Sequence, residues 1–343
     1  VQEEEIIAGL YGKSEFPLDD CYWDGFQGLV TTDCLTEGTH FRHDWSGPQE
    51  IAIKLVEVNV SDILASGGKP DFALLQLGLS EISRDPEWVR AFSESLRSQL
   101  NLYSIRLVGG DTYRSQVTTL GLTLWGKLES KSGPWTRTKA SPGDQVFLSG
   151  PLGLSVLGLK FLESRSLNQI ETGTSSSKAG SDREGNQKQS QFVNLPLDLK
   201  NRSLEKHKSP RSRMDLADRL FADFRIRACM DITDGLISDL QKLAFASQVD
   251  IHVYLEKIPG SQELLTFLTW SEILSSGEEL ELVWTSPQNS ELEPRPENSK
   301  DRKSPGTIIG SIHPMAFSTP TVIYYWEGVP KEITNQGFQH FSD

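Results

Sequence analysis

Apolar and polar positions alternate with two different periods along this chain, and the switches between them mark out its elements. Residues 28–33, Gly-Leu-Val-Thr-Thr-Asp, read as a short strand ending in two hydroxyls and a carboxylate. Thr36–Phe41 reads as a loop. Pro48 then opens a helix through about Ser66, where Ile51, Leu55, Val58 and Leu64 recur near helical spacing. Proline suits the first turn of that helix, and Gly67-Gly68 suits its stop. Asn59 and Asp62 stand three apart and share a face. Residues 71–79 predict a largely buried strand. A helix follows from Asp85-Pro86 to about Tyr103, with an acidic cap and proline at its first position. Strands are expected near 105–109 and 117–128, then a turn-rich polar segment at 137–144 and a strand at 145–149.

The second half repeats the alternation with interruptions. Residues 153–163 predict a helix. From Glu171 to Gln191 the only apolar side chain is Ala179. Such a segment cannot bury enough surface to offset its ordering entropy, so disorder is expected there. A helix near Met214–Phe224 leads to a strand at 228–232. Thr233 reads as the N-cap of a helix starting near Asp234 and carrying Leu236, Leu240 and Leu243. A strand at 251–255, a helical patch at 261–275, and strands at 280–285, 306–312 and 321–326 complete the pattern. Residues 286–305 form a second polar, proline-rich insertion. The alternation predicts a mixed α/β (α+β) fold in two domains. The boundaries are 1–143 and 144–343, with polar insertions at about 165–213 and 286–305.

A length of 343 residues agrees with two domains and a sizeable core. The formal net charge of −13 disfavours a nucleic-acid binder, although residues 165–213 hold ten Lys/Arg against five Asp/Glu. No apolar run approaches the roughly 18 residues of a membrane span. The segment Val1–Glu5 has no signal-peptide pattern. Cys21, Cys34 and Cys229 are scattered without a CxxC, which fits reduced thiols in a cytoplasmic protein.

Acidic residues recur at strand ends beside Gly, Ser or Thr: Asp20, Asp33, Asp111, Asp231 and Asp234. Hard divalent cations take such oxygen ligands, and Mg²⁺ commonly bridges one or two carboxylates to phosphates. Gly109-Gly110-Asp111-Thr112 would let the backbone approach a ligand closely, and a plain turn is equally open to it. Asp231-Ile232-Thr233-Asp234-Gly235 can simply cap a helix, or can offer backbone N–H groups to a phosphate. Asn59-Val60-Ser61-Asp62 places polar groups in an apolar helix, where Asp62 needs a partner. There is no GxxxxGK[ST], no GxGxxG after a strand, no GxSxG and no HExxH, which sets aside P-loop enzymes, protein kinases, α/β-hydrolases and zinc peptidases.

Taken in order, Asp19-Asp20, Thr31-Thr32-Asp33, Glu37–Phe41, Asn59–Gly67, Gly109–Thr112, Arg137, Pro142-Gly143-Asp144, Asp231–Leu236 and Gly277-Glu278-Glu279 resemble the thiamine-monophosphate kinase family. Aminoimidazole-ribotide synthetase and selenophosphate synthetase belong to the same superfamily. The resemblance implies a two-domain protomer of the aminoimidazole-ribotide synthetase type that forms a homodimer through a β-barrel of N-terminal-domain strands. It implies ATP as co-substrate, several Mg²⁺ ions and thiamine monophosphate as acceptor. By motif match, Asp20, Thr31, Thr32, Asp33, Asp62, Asp111, Asp231 and Asp234 would bind Mg²⁺. Gly110, Asp111, Arg137, Thr233 and Tyr103 would bind ATP. His40 and Glu278 would contact the acceptor, with Asn335 where relatives often carry an aromatic; Trp326 and Phe338 are the alternative aromatics. No protein base is implied. Leu18, Glu279 and Leu280 depart from the pattern. Another superfamily member with a different acceptor, and a non-catalytic nucleotide binder, are the competing readings.

Overall fold

A computed structural model describes Ile6, residues 9–10, 19–173, 192, 195–223, 225–288 and 305–333, with side chains left out over 167–173. The first half builds a five-stranded sheet. Its strands are β1 (Tyr22–Trp23), β2 (Gly28–Thr36), β3 (Gly68–Leu79), β4 (Arg106–Arg114) and β5 (Thr119–Leu128), in the order β1-β2-β5-β3-β4. The β3–β4 pair is parallel and the others are antiparallel. Helix α1 (Pro48–Ala65) lies across β2, β5 and β3 and packs against α2 (Pro86–Leu102). From Leu55 to Ala65 every residue of α1 is buried, as befits a helix covered on all sides. Asp85 starts α2 by accepting from the N–H groups of Glu87 and Trp88 at 2.9 and 3.1 Å, satisfying two orphan donors. Trp88, Phe92, Leu96 and Leu100 then form its buried stripe.

The second half builds a seven-stranded sheet in the order β12-β11-β8-β10-β6-β9-β7. These strands are β6 (Asp144–Leu148), β7 (Cys229–Asp231), β8 (Asp250–Tyr254), β9 (Leu282–Pro287), β10 (Thr307–His313), β11 (Val322–Trp326) and β12 (Val329–Lys331). Its helices include α3 (Leu154–Gly173), α4 (Leu197–Lys208), α5 (Ala217–Phe221) and α6 (Leu236–Ser247), with the short α7 (Ser261–Leu264) and α8 (Trp270–Leu274). Each sheet has its own apolar core. A third cluster, including Leu64, Trp135, Phe147, Leu220 and Trp284, joins the two halves.

Four expectations change. Gly109-Gly110-Asp111 is not a turn but the middle of β4. The glycines serve close strand packing, because a Cβ at Gly110 would lie 2.0 Å from the Leu75 carbonyl oxygen. Helix α3 runs past residue 163 to Gly173, beyond the expected start of disorder at Glu171. Helix α4 stands inside the predicted 165–213 insertion, where Leu199 packs into the core with Leu157 and Phe161. The N-cap of α6 is Gly235, not Thr233. Asp239, in the first turn of α6, instead holds the loop before the helix by accepting from the N–H groups of Thr233 and Asp234 at 3.1 and 3.2 Å. Residues 174–191, 289–304, Asn335 and Phe338 lie outside the described residues.

Candidate active site

A cleft of about 800 Å³ separates the two sheets' domains and gathers residues from both. Its acidic wall starts at β2. Asn59 ties this strand to α1 by accepting from the Asp33 N–H at 3.1 Å while donating to the Leu55 carbonyl at 2.9 Å. One turn on, the Thr31 hydroxyl donates to Asp62 at 2.6 Å. Ser61 donates to Asp231, at the end of β7, at 2.5 Å. The polar turn in α1 therefore has partners, which answers the cost of burying it.

Asp20, Asp62 and Asp231 converge, each offering a carboxylate oxygen within 4.8 Å of the others. Burial, followed by Asp33 and Asp231, pushes the Asp62 carboxyl well above the usual range. Burial, followed by Asp20, does the same to Asp231. Like charges this close favour protonation unless a cation intervenes. Arg137 supplies part of the compensation. Its guanidinium donates to Asp20, and its backbone N–H donates to Asp19 at 2.7 Å. Burial disfavours the guanidinium charge, but Asp20 outweighs it and holds Arg137 cationic. An all-oxygen, acidic donor set in this arrangement fits a hard divalent cation.

Thr32, Asp33, Thr233 and Asp234 line the same cleft. Lys242 pairs with Asp234 and lies 3.1 Å from Asp239. Burial pushes the Asp239 carboxyl up to about 6 against the pull of Lys242. Because Asp239 already holds the Thr233 and Asp234 N–H groups, this loop does not present both to a phosphate.

His40 and Glu278 line the other end. The His40 Nδ1 accepts from the Thr36 N–H at 3.0 Å, which leaves the ring proton on Nε2. Trp45 also lines the cleft, with the Arg42 guanidinium 4.4 Å from its ring centre. His207, from α4, stands nearby; burial and then Lys54 lower its pKa to about 4, so its imidazole is neutral. Glu279 turns away from the cleft. It accepts from the Gly153 and Ser155 N–H groups at 2.7 and 3.1 Å, capping α3.

Four residues named from the sequence stand elsewhere. The Tyr103 hydroxyl donates to Glu57 at 2.8 Å in a network with Gln99 and Arg211. Gly110 pairs through Leu75 and Leu122 to Asp33, three strand spacings or about 14 Å away. Asp111 is exposed on the β4 edge, and its carboxylate accepts from the Thr112 N–H at 2.9 Å. Trp326 contacts Trp270 and does not line the cleft. Sequence reasoning missed Trp45, Lys54, His207 and Lys242. Lys54 carried no local signal, because α1 also holds Glu50, Glu57, Asn59 and Asp62.

Residues 19–128 match AIR synthase related protein, N-terminal domain, and residues 141–293 match AIR synthase related protein, C-terminal domain. With an acidic cleft between two α/β domains, this defines a protein of the AIR synthase-related class. Within that class, the thiamine-monophosphate kinase of Leptospira interrogans is 44% identical over 84% of this chain and 84% of its own length. The thiamine-monophosphate kinase of Haemophilus influenzae is 32% identical over 95% of this chain and 91% of its own. A solved structure of AaThiL complexed with AMPPCP and TMP aligns at a TM-score of 0.73 and 26% identity, covering 99% of this chain and 97% of that one. The chain belongs to the thiamine-monophosphate kinase family.

Proposed function

We propose that this chain transfers the γ-phosphate of ATP to the phosphate of thiamine monophosphate, giving ADP and thiamine diphosphate. The convergence of Asp20, Asp62 and Asp231 carries the reading. Those three would hold Mg²⁺, with Thr31, Thr32, Asp33 and Asp234 along the same wall. When bound, Mg²⁺ neutralises charge on the phosphates and stabilises it as it shifts. Arg137 offers the nucleotide a permanent cation beside the cluster. His40 and Glu278 orient the acceptor at the other end, and Trp45 gives its cationic ring an aromatic surface. The acceptor phosphate is largely ionised near neutral pH, so no side chain has to remove a proton from it. Positioning for in-line attack is then the protein's main task.

The protein works as a homodimer in this reading. All nine residues of β4 are exposed, including Leu107, Val108 and Tyr113. An open, partly apolar strand edge favours pairing with another strand. Gly110 and Asp111 stand on this edge, so their role in nucleotide binding is exercised at the dimer interface. The domain boundary falls near residue 143, between β5 and β6. No described helix is long and apolar enough to cross a membrane, and three free cysteines suit a cytoplasmic location.

The direct test incubates the protein with ATP, Mg²⁺ and thiamine monophosphate and measures ADP and thiamine diphosphate. ATP turnover with only another acceptor, or none, would reject the proposal.

A further inference from the structure

Behind the His40–Glu278 end of the cleft lies a buried ammonium. Lys54 is 2% exposed, in the middle of α1. Its Nζ donates to the His40 carbonyl at 2.7 Å and to Glu278 Oε2 at 2.5 Å. Those two acceptors belong to different domains, the loop after β2 and the turn before β9.

The Glu278 turn gives this contact its meaning. Glu278 adopts φ 54° and Leu280 φ 49°, a left-handed conformation that L side chains rarely hold without support. Two backbone bonds help: Glu278 N–H to the Thr233 carbonyl at 2.7 Å, and Leu280 N–H to the Ile232 carbonyl at 3.0 Å. They fix the main chain and leave the carboxylate free to rotate. Lys54 fixes the carboxylate. A buried ion pair contributes little stability over an apolar pair of the same volume, so stability alone is a weak reason for an ammonium here.

We infer that Lys54 is a positioning residue for the acceptor: it aims Glu278 and anchors the His40 loop, so that both meet thiamine monophosphate at a fixed place relative to the acidic cluster. This rests on the proposed kinase reading. Both Lys54 bonds go to the His40–Glu278 end of the cleft and neither goes to the acidic cluster, so its loss should act on the acceptor. Glu278 keeps its backbone strain but loses its aim, and binding weakens because the acceptor must order the carboxylate itself.

Steady-state kinetics of the full chain test this. Wild-type turnover of thiamine monophosphate comes first; without it the kinase reading fails, and this inference falls with it. In an active enzyme, Lys54→Met is expected to raise KM for thiamine monophosphate at least tenfold. KM for ATP should stay within twofold and kcat within about threefold. Lys54→Arg, which keeps the charge, should recover most of the loss. Glu278→Gln should raise the same KM, and the double variant should be less impaired than the product of the two single effects, since both break the Lys54–Glu278 pair. A KM for thiamine monophosphate within twofold of wild type overturns the inference alone. So does an equal rise in both KM values, or effects that multiply in the double variant. If Lys54→Met does not fold, Lys54→Gln keeps a donor for His40 without the charge for Glu278, and the same criteria apply.

Discussion

Asp62 and Asp231 dominate the charge balance of the cleft because each is buried beside other carboxylates. Replacing Asp231 or Asp33 with Asn should each lower kcat/KM at least about 10²-fold, the scale of losing one preorganised electrostatic group; near-normal turnover in both would count against the metal assignment. The same burial makes stability depend on pH. Both groups titrate higher in the folded chain than in the unfolded one, so the metal-free fold binds more protons. Its stability therefore falls as pH rises above the ordinary carboxylate range and through the raised values. A divalent cation replaces those protons. Mg²⁺ should then raise Tm more at pH 8 than at pH 5.5, and an equal increase at both would argue that it binds elsewhere. At this scale the sequence spoke clearly for residues whose neighbours repeat one theme, acid beside hydroxyl or glycine. It was silent on Lys54 and Lys242, whose roles depend on partners 224 and 8 positions away.

Elements were legible where apolar residues recur at helical spacing, as in α1 and α2. They were misread where local residues imitate a turn. Two glycines made β4 look finished at residue 109, although they allow β4 to approach β3. Helix α4 hid in a polar stretch because its buried contacts are few, Leu199 foremost. Glu279 shows how one such difference is built in. Its carboxylate holds the start of α3 from inside the core, with a third bond from Ser276 at 2.6 Å. Glu279→Ala leaves two buried N–H groups without an acceptor and should cost about 2 kcal/mol. A shifted urea midpoint at unchanged slope would show it.

For the whole molecule, the two-domain plan could be read from the repeated alternation of strand and helix. The cluster that welds the domains could not, because Leu64, Phe147 and Leu220 look like ordinary core residues of separate elements. The open β4 edge is likewise a property of the assembled sheet. Val108, 53% exposed there, offers a test: Val108→Lys should shift the protein toward monomer in sedimentation and weaken ATP binding together. A stable dimer with unchanged nucleotide affinity would place the interface elsewhere.

Helix α1 also works as a gauge. Lys54 and Asp62 are eight positions apart on it, about 12 Å along the axis. In the proposed reading one end locates the acceptor and the other the metal wall, so the gap the phosphate crosses is set by a count of residues. A single residue inserted at Glu57 would swing everything beyond it by about 100°, leaving each half of the reaction with its own contacts and no common line between them.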